Sequence, residues 1–242
     1  MQARTVAVER GWDWFAQGWR LFARAPMVWV LLGLIFLFLM FASLLVPVVA
    51  QLVFVLISPA LGAGMLYAAR ESDSARPVRV THLWQGFRHP TVRNRLLALG
   101  GVAVAGALAT SLFMALLLGN AMMDLMGQAR SGMPHLGVGF WLRLLIVLTP
   151  QFLVAVALAY AVPLVMFRDA AVGAALGSSL AASAQNVLPL LVFGLIYTVV
   201  AVIASIPLGI GWLLLLPASV GMLYCSYKDI YEPPAAPGAA TR

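Results

Sequence analysis

Eight carboxylates, three histidines, one lysine and one cysteine are all that the 242 residues offer for acid–base, metal or nucleophilic chemistry. The acids are Glu9, Asp13, Glu71, Asp73, Asp124, Asp169, Asp229 and Glu232. Catalysis needs titratable groups that converge in a cleft. These instead fall beside apolar runs, in their connections or near the C-terminus. None interrupts the middle of a run, where an ionisable group would mark a proton or ion path. His82 and His89 stand seven apart, but Gly86 and Pro90 break a helix that would align them, and no carboxylate pair accompanies them as zinc ligands would require. Cys225 lies inside an apolar run and reads as a small buried side chain. The single lysine, Lys228, follows no glycine-rich loop, and no serine has the context of a nucleophile elbow. The residues therefore predict no enzyme, no cofactor and no metal. A lipid-directed enzyme would have to gather Asp124, His135 and Asp73 into one pocket.

Two sets of residues could still bind. Polar side chains within the apolar runs include Ser43, Ser58, Thr110, Gln51, Gln151 and Tyr160. Their ordinary use is hydrogen bonding between helices; the functional use is a polar path lined by Gln51, Gln151 and Tyr160. Arg88, Arg93 and Arg95 form a short basic cluster, which serves either as a topology determinant or as a holder of lipid phosphates.

The elements that must position these groups follow from composition. Only 10% of residues are charged, against roughly 25% in an ordinary globular domain, and 63% are apolar and gathered into long runs. Such a chain cannot cover itself with polar surface as a soluble monomer does. A transmembrane helix needs about 20 apolar residues, and six stretches qualify: 27–45, 48–69, 96–118, 144–167, 187–206 and 208–227. The reading is an all-α polytopic membrane protein, one domain over 1–231, with a disordered tail at 232–242. Before the first stretch, Val8, Trp12, Phe15, Trp19 and Phe22 recur at helical spacing opposite Arg10, Asp13, Gln17, Arg20 and Arg24. That pattern predicts an amphipathic helix lying among the headgroups. A second interfacial helix, capped by Thr81, is expected over 81–87, and the alanine-rich 170–186 forms a third. Thirteen of the fifteen Arg and Lys residues fall on the N-terminal side of this topology. Both termini are therefore expected in the cytoplasm. The net charge of +7 then reflects topology and membrane lipids, not a nucleic-acid partner.

The sequence also repeats. Gly64-Met65-Leu66-Tyr67 returns as Gly221-Met222-Leu223-Tyr224, each after a proline (Pro59, Pro217) and before a charged stop. Gly33-Leu34-Ile35-Phe36 returns as Gly194-Leu195-Ile196-Tyr197. Three parallel units are expected, at 5–71, 81–169 and 170–229, each an interfacial helix followed by two spans. Two small-residue strips, Gly101/Ala105/Ala109 and Gly173/Gly177/Ala181, allow close helix approach, within the chain or to a membrane-protein partner or a second copy.

Gly11-Trp12, Trp14, Gly18-Trp19, Leu21-Phe22, Pro26 and Trp29 resemble the opening of an uncharacterised proteobacterial multi-pass inner-membrane family. His82-Leu83-Trp84-Gln85-Gly86-Phe87 fits its central loop. Asn186, Pro189, Gly211, Pro217 and Ser226-Tyr227-Lys228-Asp229-Ile230-Tyr231 fit its closing signature. That family is similar to YciC-like proteins and to the membrane domain attached to some glycerophosphodiester phosphodiesterases. The resemblance implies an inner-membrane location and six helices. It implies no activity, since the phosphodiesterase domain with its metal-binding acids is missing. The functional expectation is an accessory, scaffolding or lipid-interacting module; the alternative is a transporter or channel for a small or amphipathic molecule.

Overall fold

The computed structural model describes residues 3–46, 48–119 and 137–232. Pro47, Asp124, Arg130, His135 and the tail from 233 onward lie outside the described residues. Every regular element among the described residues is helical.

Helix α1 spans Arg10–Ala23. It is amphipathic as expected, but the face it packs is not the Trp12/Trp19 face. Gly11, Trp14, Gly18, Leu21 and Phe22 are buried instead, while Trp12 and Trp19 remain 58% and 39% exposed. The two glycines explain the rotation, because they let the helix close on other backbones. A Cβ added at Gly18 would lie 2.3 Å from the Met222 amide nitrogen, and one at Gly11 would lie 2.4 Å from the Pro189 carbonyl oxygen.

Helix α2 is Pro26–Ser43 and α3 is Val49–Asp73. Pro26 opens α2 at a position where its missing N–H costs nothing. Between α3 and the next long helix lie a 3₁₀ turn, Val80–Trp84, and the short α4, Gln85–Arg88. Thr81 does not cap this segment. The turn begins one residue earlier, and the Arg79 amide donates to His82 Nδ1 at 3.3 Å. The imidazole thus takes over the capping role that the threonine's position suggested. Helix α5 is Pro90–Phe113, again opened by a proline, and continues as a π-turn over Met114–Leu118.

Helix α6 runs Val138–Arg168 and ends where Asp169 turns left-handed at φ 50°. Helices α7 (Val172–Gln185), α8 (Val187–Ser205) and α9 (Trp212–Tyr231) follow. The link from α8 to α9 is a tight turn over 206–211, with Leu208 at φ 54° and Gly209 at φ 80°. Residues 208–211, expected to start a span, therefore form the turn.

Among the described residues, five helices are long and apolar enough to cross a membrane: Pro26–Ser43, Val49–Asp73, Pro90–Leu118, Val138–Arg168 and Val187–Ser205. Helix α9 has 20 residues, but its second half carries Ser226, Lys228 and Asp229 and is less apolar than these.

Packing is organised about α3, α6 and α9, which contact one another. Each carries an interfacial element on its flank: the 3₁₀ turn and α4 lie on α3, α7 on α6, and α1 on α9. The close approaches use glycines. A Cβ at Gly64 would meet the Leu83 carbonyl oxygen at 2.1 Å, and one at Gly100 the Leu56 carbonyl oxygen at 1.8 Å. Where α7 meets α6, Ser179 enters the helix ladder itself. Its hydroxyl accepts the Tyr160 amide at 3.1 Å and donates to the Val156 carbonyl at 2.9 Å, bridging one rung of the i→i−4 pattern.

The two small-residue strips face outward. A Cβ at Gly101, Gly173 or Gly177 would have no neighbour within 4 Å. Internal packing uses Gly100, Ala103 and Gly106 on α5 and Ala175, Ser179 and Ala182 on α7, one or two residues round the helix from the expected strips.

Candidate functional site

The charged ends of α3, α6 and α9 gather in one layer. Asp229 is its centre, with a side chain only 6% exposed. It accepts from Arg10 Nε at 2.6 Å, from Trp14 Nε1 at 3.0 Å and from the Arg4 guanidinium. Burial alone would push this carboxyl up. The hydrogen bonds from Arg10 and Trp14, then the Arg10 charge and the Arg4 bond, outweigh it and leave Asp229 below its ordinary value. The same contact raises Arg10.

Asn186, fully buried between α7 and α8, holds the segment that carries Arg4. Its Oδ1 accepts the Val6 amide at 2.9 Å, and its Nδ2 donates to the Arg4 carbonyl at 3.1 Å and the Ala182 carbonyl at 2.9 Å. The Arg4 amide donates to the Ile230 carbonyl at 3.0 Å. An otherwise unsupported N-terminal segment is thereby fastened to the ends of two helices.

The other helix ends are tied in the same way. Lys228 bonds Asp73 at 2.6 Å, and that bond raises the lysine above its usual value. Arg95 reaches Asp169 at 2.6 Å. Arg24 donates to the Ser72 carbonyl, while Ser72 Oγ donates to the Leu21 carbonyl at 3.1 Å. Arg70 lies over the Phe167 ring at 5.1 Å. Arg4, Arg10, Gln17, Asp73, Lys228 and Glu232 also border a polar recess of 830 Å³. Chemically, these carboxylates are occupied as acceptors of fixed cations. Among the described residues, no three His, Cys, Asp or Glu side chains come together as a metal site would require.

The basic cluster foreseen from the sequence divides. Arg95 is committed to Asp169; Arg88 is exposed at the end of α4; Arg93 is exposed, and its Nε donates to Asn94 Oδ1 at 3.4 Å. Arg88 makes no ion pair among the described residues. His82, beside this cluster, is pushed below its usual value by burial, with Arg79 and Arg88 acting in the same direction.

The polar path is not brought together. Gln51 and Gln151 lie on exposed faces of α3 and α6, whereas Tyr160 is 1% exposed and packs 5.9 Å from the Tyr231 ring. None of the three lines the cavity that opens among α2, α3, α6 and α9. That chamber measures 580 Å³, and its walls include Gly33, Pro59, Gly62, Leu66, Val162 and Pro217.

Sequence reasoning did not foresee the Asp229 cluster as a unit. The available signal was a pair of tryptophans, Trp12 and Trp14, on different faces of one helix, of which only one could face the headgroups. It also did not foresee the chamber, which depends on how four separate helices diverge.

Long apolar helices capped by short amphipathic ones and a layer of ion pairs define a polytopic helical membrane protein. The chain is similar to a probable inner membrane protein of Burkholderia thailandensis, with 30% identity over 251 residues covering 96% of this chain and 93% of the relative. It belongs to that protein's family. No protein-family model matches the chain, and no solved structure does.

Proposed function

We propose that the protein is an integral inner-membrane module that engages anionic lipid and supports other membrane components without catalysing a reaction. One observation carries this reading. Trp12, Trp19 and Trp84 are exposed on the interfacial elements, at 58%, 39% and 49%, and the exposed Arg88 and Arg93 lie in the same layer. Amphipathic indoles beside guanidinium groups match the headgroup region of a bilayer. The test uses nanodiscs containing phosphatidylglycerol. Neutralising Arg88, Arg93 and Arg95 together to Gln is expected to weaken retention of that lipid during exchange; unchanged retention would remove the lipid role.

The finer topology is part of the same proposal. Helix α9 makes the sixth crossing, and both termini face the cytoplasm. The bond from Arg4 to Ile230, which places these two residues in one layer, supports this. A phosphatase fusion at residue 232 that proved active outside the cytoplasm would overturn it. The three units are arranged cyclically: each interfacial element lies on the second span of the preceding unit, and α1 closes the ring on α9. An experimental structure in which 5–71 and 170–229 fail to superpose would end the repeat. Kinship with YciC-like proteins belongs to this reading too, and would require the same cyclic packing there. Membrane lipids are the partners it needs, and a second copy or another membrane protein could meet the outward strips at Gly173 and Gly177.

Transport of a small or amphipathic molecule is the second reading, supported by a chamber among proline-bearing helices. It requires water to reach Gln51 and Gln151. Cysteines placed there that resist a water-soluble maleimide would remove it.

A further inference from the structure

The chamber among α2, α3, α6 and α9 offers a ligand little polar surface. Its two hydroxyls are already engaged. Ser58 Oγ donates to the Val55 carbonyl at 2.9 Å, and Ser219 Oγ donates to the Leu216 carbonyl at 2.6 Å. The first of these matters, because Pro59 lacks the N–H that would otherwise bond Val55. The serine therefore covers the one acceptor that the proline would have left open toward the space. The remaining walls are apolar, and the room comes from residues that lack bulk. A Cβ at Gly62 would touch nothing within 4 Å, and one at Gly33 would meet only the Pro217 ring, at 3.4 Å.

Water is a poor filling for such a space. At ~30 Å³ each, about twenty molecules would be needed, and each requires two to four polar partners. Apolar cavities of even ~150 Å³ stay dry and accept apolar ligands. The wall residues run 33–40 on α2, 58–66 on α3, 155–162 on α6 and 216–223 on α9. These stretches extend about 11–12 Å along each helix, a little over a third of the ~30 Å hydrocarbon thickness. At its edge Ala155 is exposed and Leu37 half-buried, so the opening faces the bilayer, where alkyl chains are the surrounding medium.

We propose that this chamber is a binding site for one hydrocarbon chain of a bilayer lipid, whose headgroup stays outside it. The alkyl chain lies against Leu158, Val220 and Leu223, which line the chamber and keep accessible surface, and displaces no hydrogen bond. The site is separate from the arginine layer, so this inference stands or falls independently of the anionic-lipid reading.

The test embeds the full-length protein in nanodiscs doped with a phosphatidylcholine that carries a diazirine on its acyl chain. After irradiation, adducts are mapped by mass spectrometry. Adducts are expected on Leu158, Val220 or Leu223, besides those on the outward residues Leu195 and Val199, which any surrounding lipid reaches. Gly62→Phe, which fills open space, is expected to abolish the chamber adducts and keep the outward ones. Leu37→Trp at the mouth provides a second variant should the first not fold. Neutralising Arg88, Arg93 and Arg95 leaves the chamber adducts in place. Absence of adducts on the three walls in the unmodified protein, or adducts that persist in a folded Gly62→Phe protein, would overturn the proposal.

Discussion

The charged layer and the opposite ends of the same helices are built by different rules. In the charged layer Trp14, Leu83 and Ile230 are essentially inaccessible, and Asp229 and Asp73 are each tied to a named cation. At the other end Leu45, Leu116, Leu145 and Leu195 are 82%, 70%, 65% and 69% exposed. The first region packs as a soluble core does. The second leaves its side chains to lipid, where burial against a neighbouring helix has no hydrophobic advantage over burial in acyl chains. The tertiary structure is thus specified mainly where the interfacial elements meet the ends of α3, α6 and α9, and the spans extend from that layer.

The sharpest way to break this contrast is to place the same side chain in each region. Gly18→Leu drives atoms into the Met222 backbone, which lies 2.3–2.5 Å from a modest Cβ. Neither backbone can yield cheaply, so a loss of about 3 kcal/mol or more is expected, read as a collapse of the thermal transition in detergent. Gly139→Leu adds the same atoms at the opposite end of α6, where a Cβ has no neighbour within 4 Å, and should change stability by no more than about 0.5 kcal/mol. Equal effects would show that packing is not concentrated in the charged layer.

Asp229→Asn probes the same contrast electrostatically. It removes the charge that Arg4 and Arg10 share, while Trp14 keeps an acceptor. Bonds to charged groups contribute about 1.5–3 kcal/mol, and because both arginines are more than a third exposed, the expected loss is about 1–2 kcal/mol after solvent screening. Asp169→Asn breaks a pair whose acid is 65% exposed and should cost about 0.5 kcal/mol or less. Chemical denaturation of both variants in one detergent makes the comparison.

Acid sharpens it further. The folded Asp229 carboxyl lies below its ordinary value of 3.8, so the unfolded chain takes up the proton first as pH falls. Its stabilisation is present in full at neutral pH and lost as pH drops through the folded value. Thermal scans should therefore show a loss below about pH 4 that the Asp229→Asn protein lacks. His82 acts in the same direction at higher pH. Its folded value is depressed, so protonation of the unfolded chain below the ordinary imidazole value of 6.5 disfavours the folded turn, and hydrogen-exchange protection over residues 79–88 should fall between pH 7 and 5.

How far the sequence reveals this architecture depends on the same division. The spans were legible because hydropathy is a local property of the chain, and Pro26 and Pro90 marked helix starts through a rule that needs no tertiary partner. The packed face of α1 was not legible. Its amphipathic pattern assigns Trp12 and Trp19 to the headgroups and says nothing of which residues meet protein; that choice is made by Gly11 and Gly18 meeting the backbones of α8 and α9. Thr81 failed as a cap for a similar reason: His82 supplied an equivalent acceptor one residue later. The outward strips show the limit on the other side, since small-residue spacing permits close approach without stating which helix will come near. Of the site residues, Arg88 and Arg93 could be placed because exposure follows from charge. Gln51, Gln151 and Tyr160 could not be grouped, because three polar residues on two helices share a face only if those helices turn the right way.

The smallest expected effect lies where the bilayer takes over. Leu195→Ala on α8 removes a side chain that is 69% exposed and touches lipid in both the folded and the partly separated helices. Truncating a leucine in a packed core costs about 2–5 kcal/mol because it leaves a cavity. Here lipid flows into the vacated volume, so the change should stay within about 0.5 kcal/mol in nanodiscs. Leu61→Ala, which cuts a fully buried side chain of α3, should show the full core penalty under the same conditions. A Leu195→Ala cost approaching that of Leu61→Ala would mean that α8 packs against protein where this structure leaves it bare, and the first place to look would be a second copy of the chain.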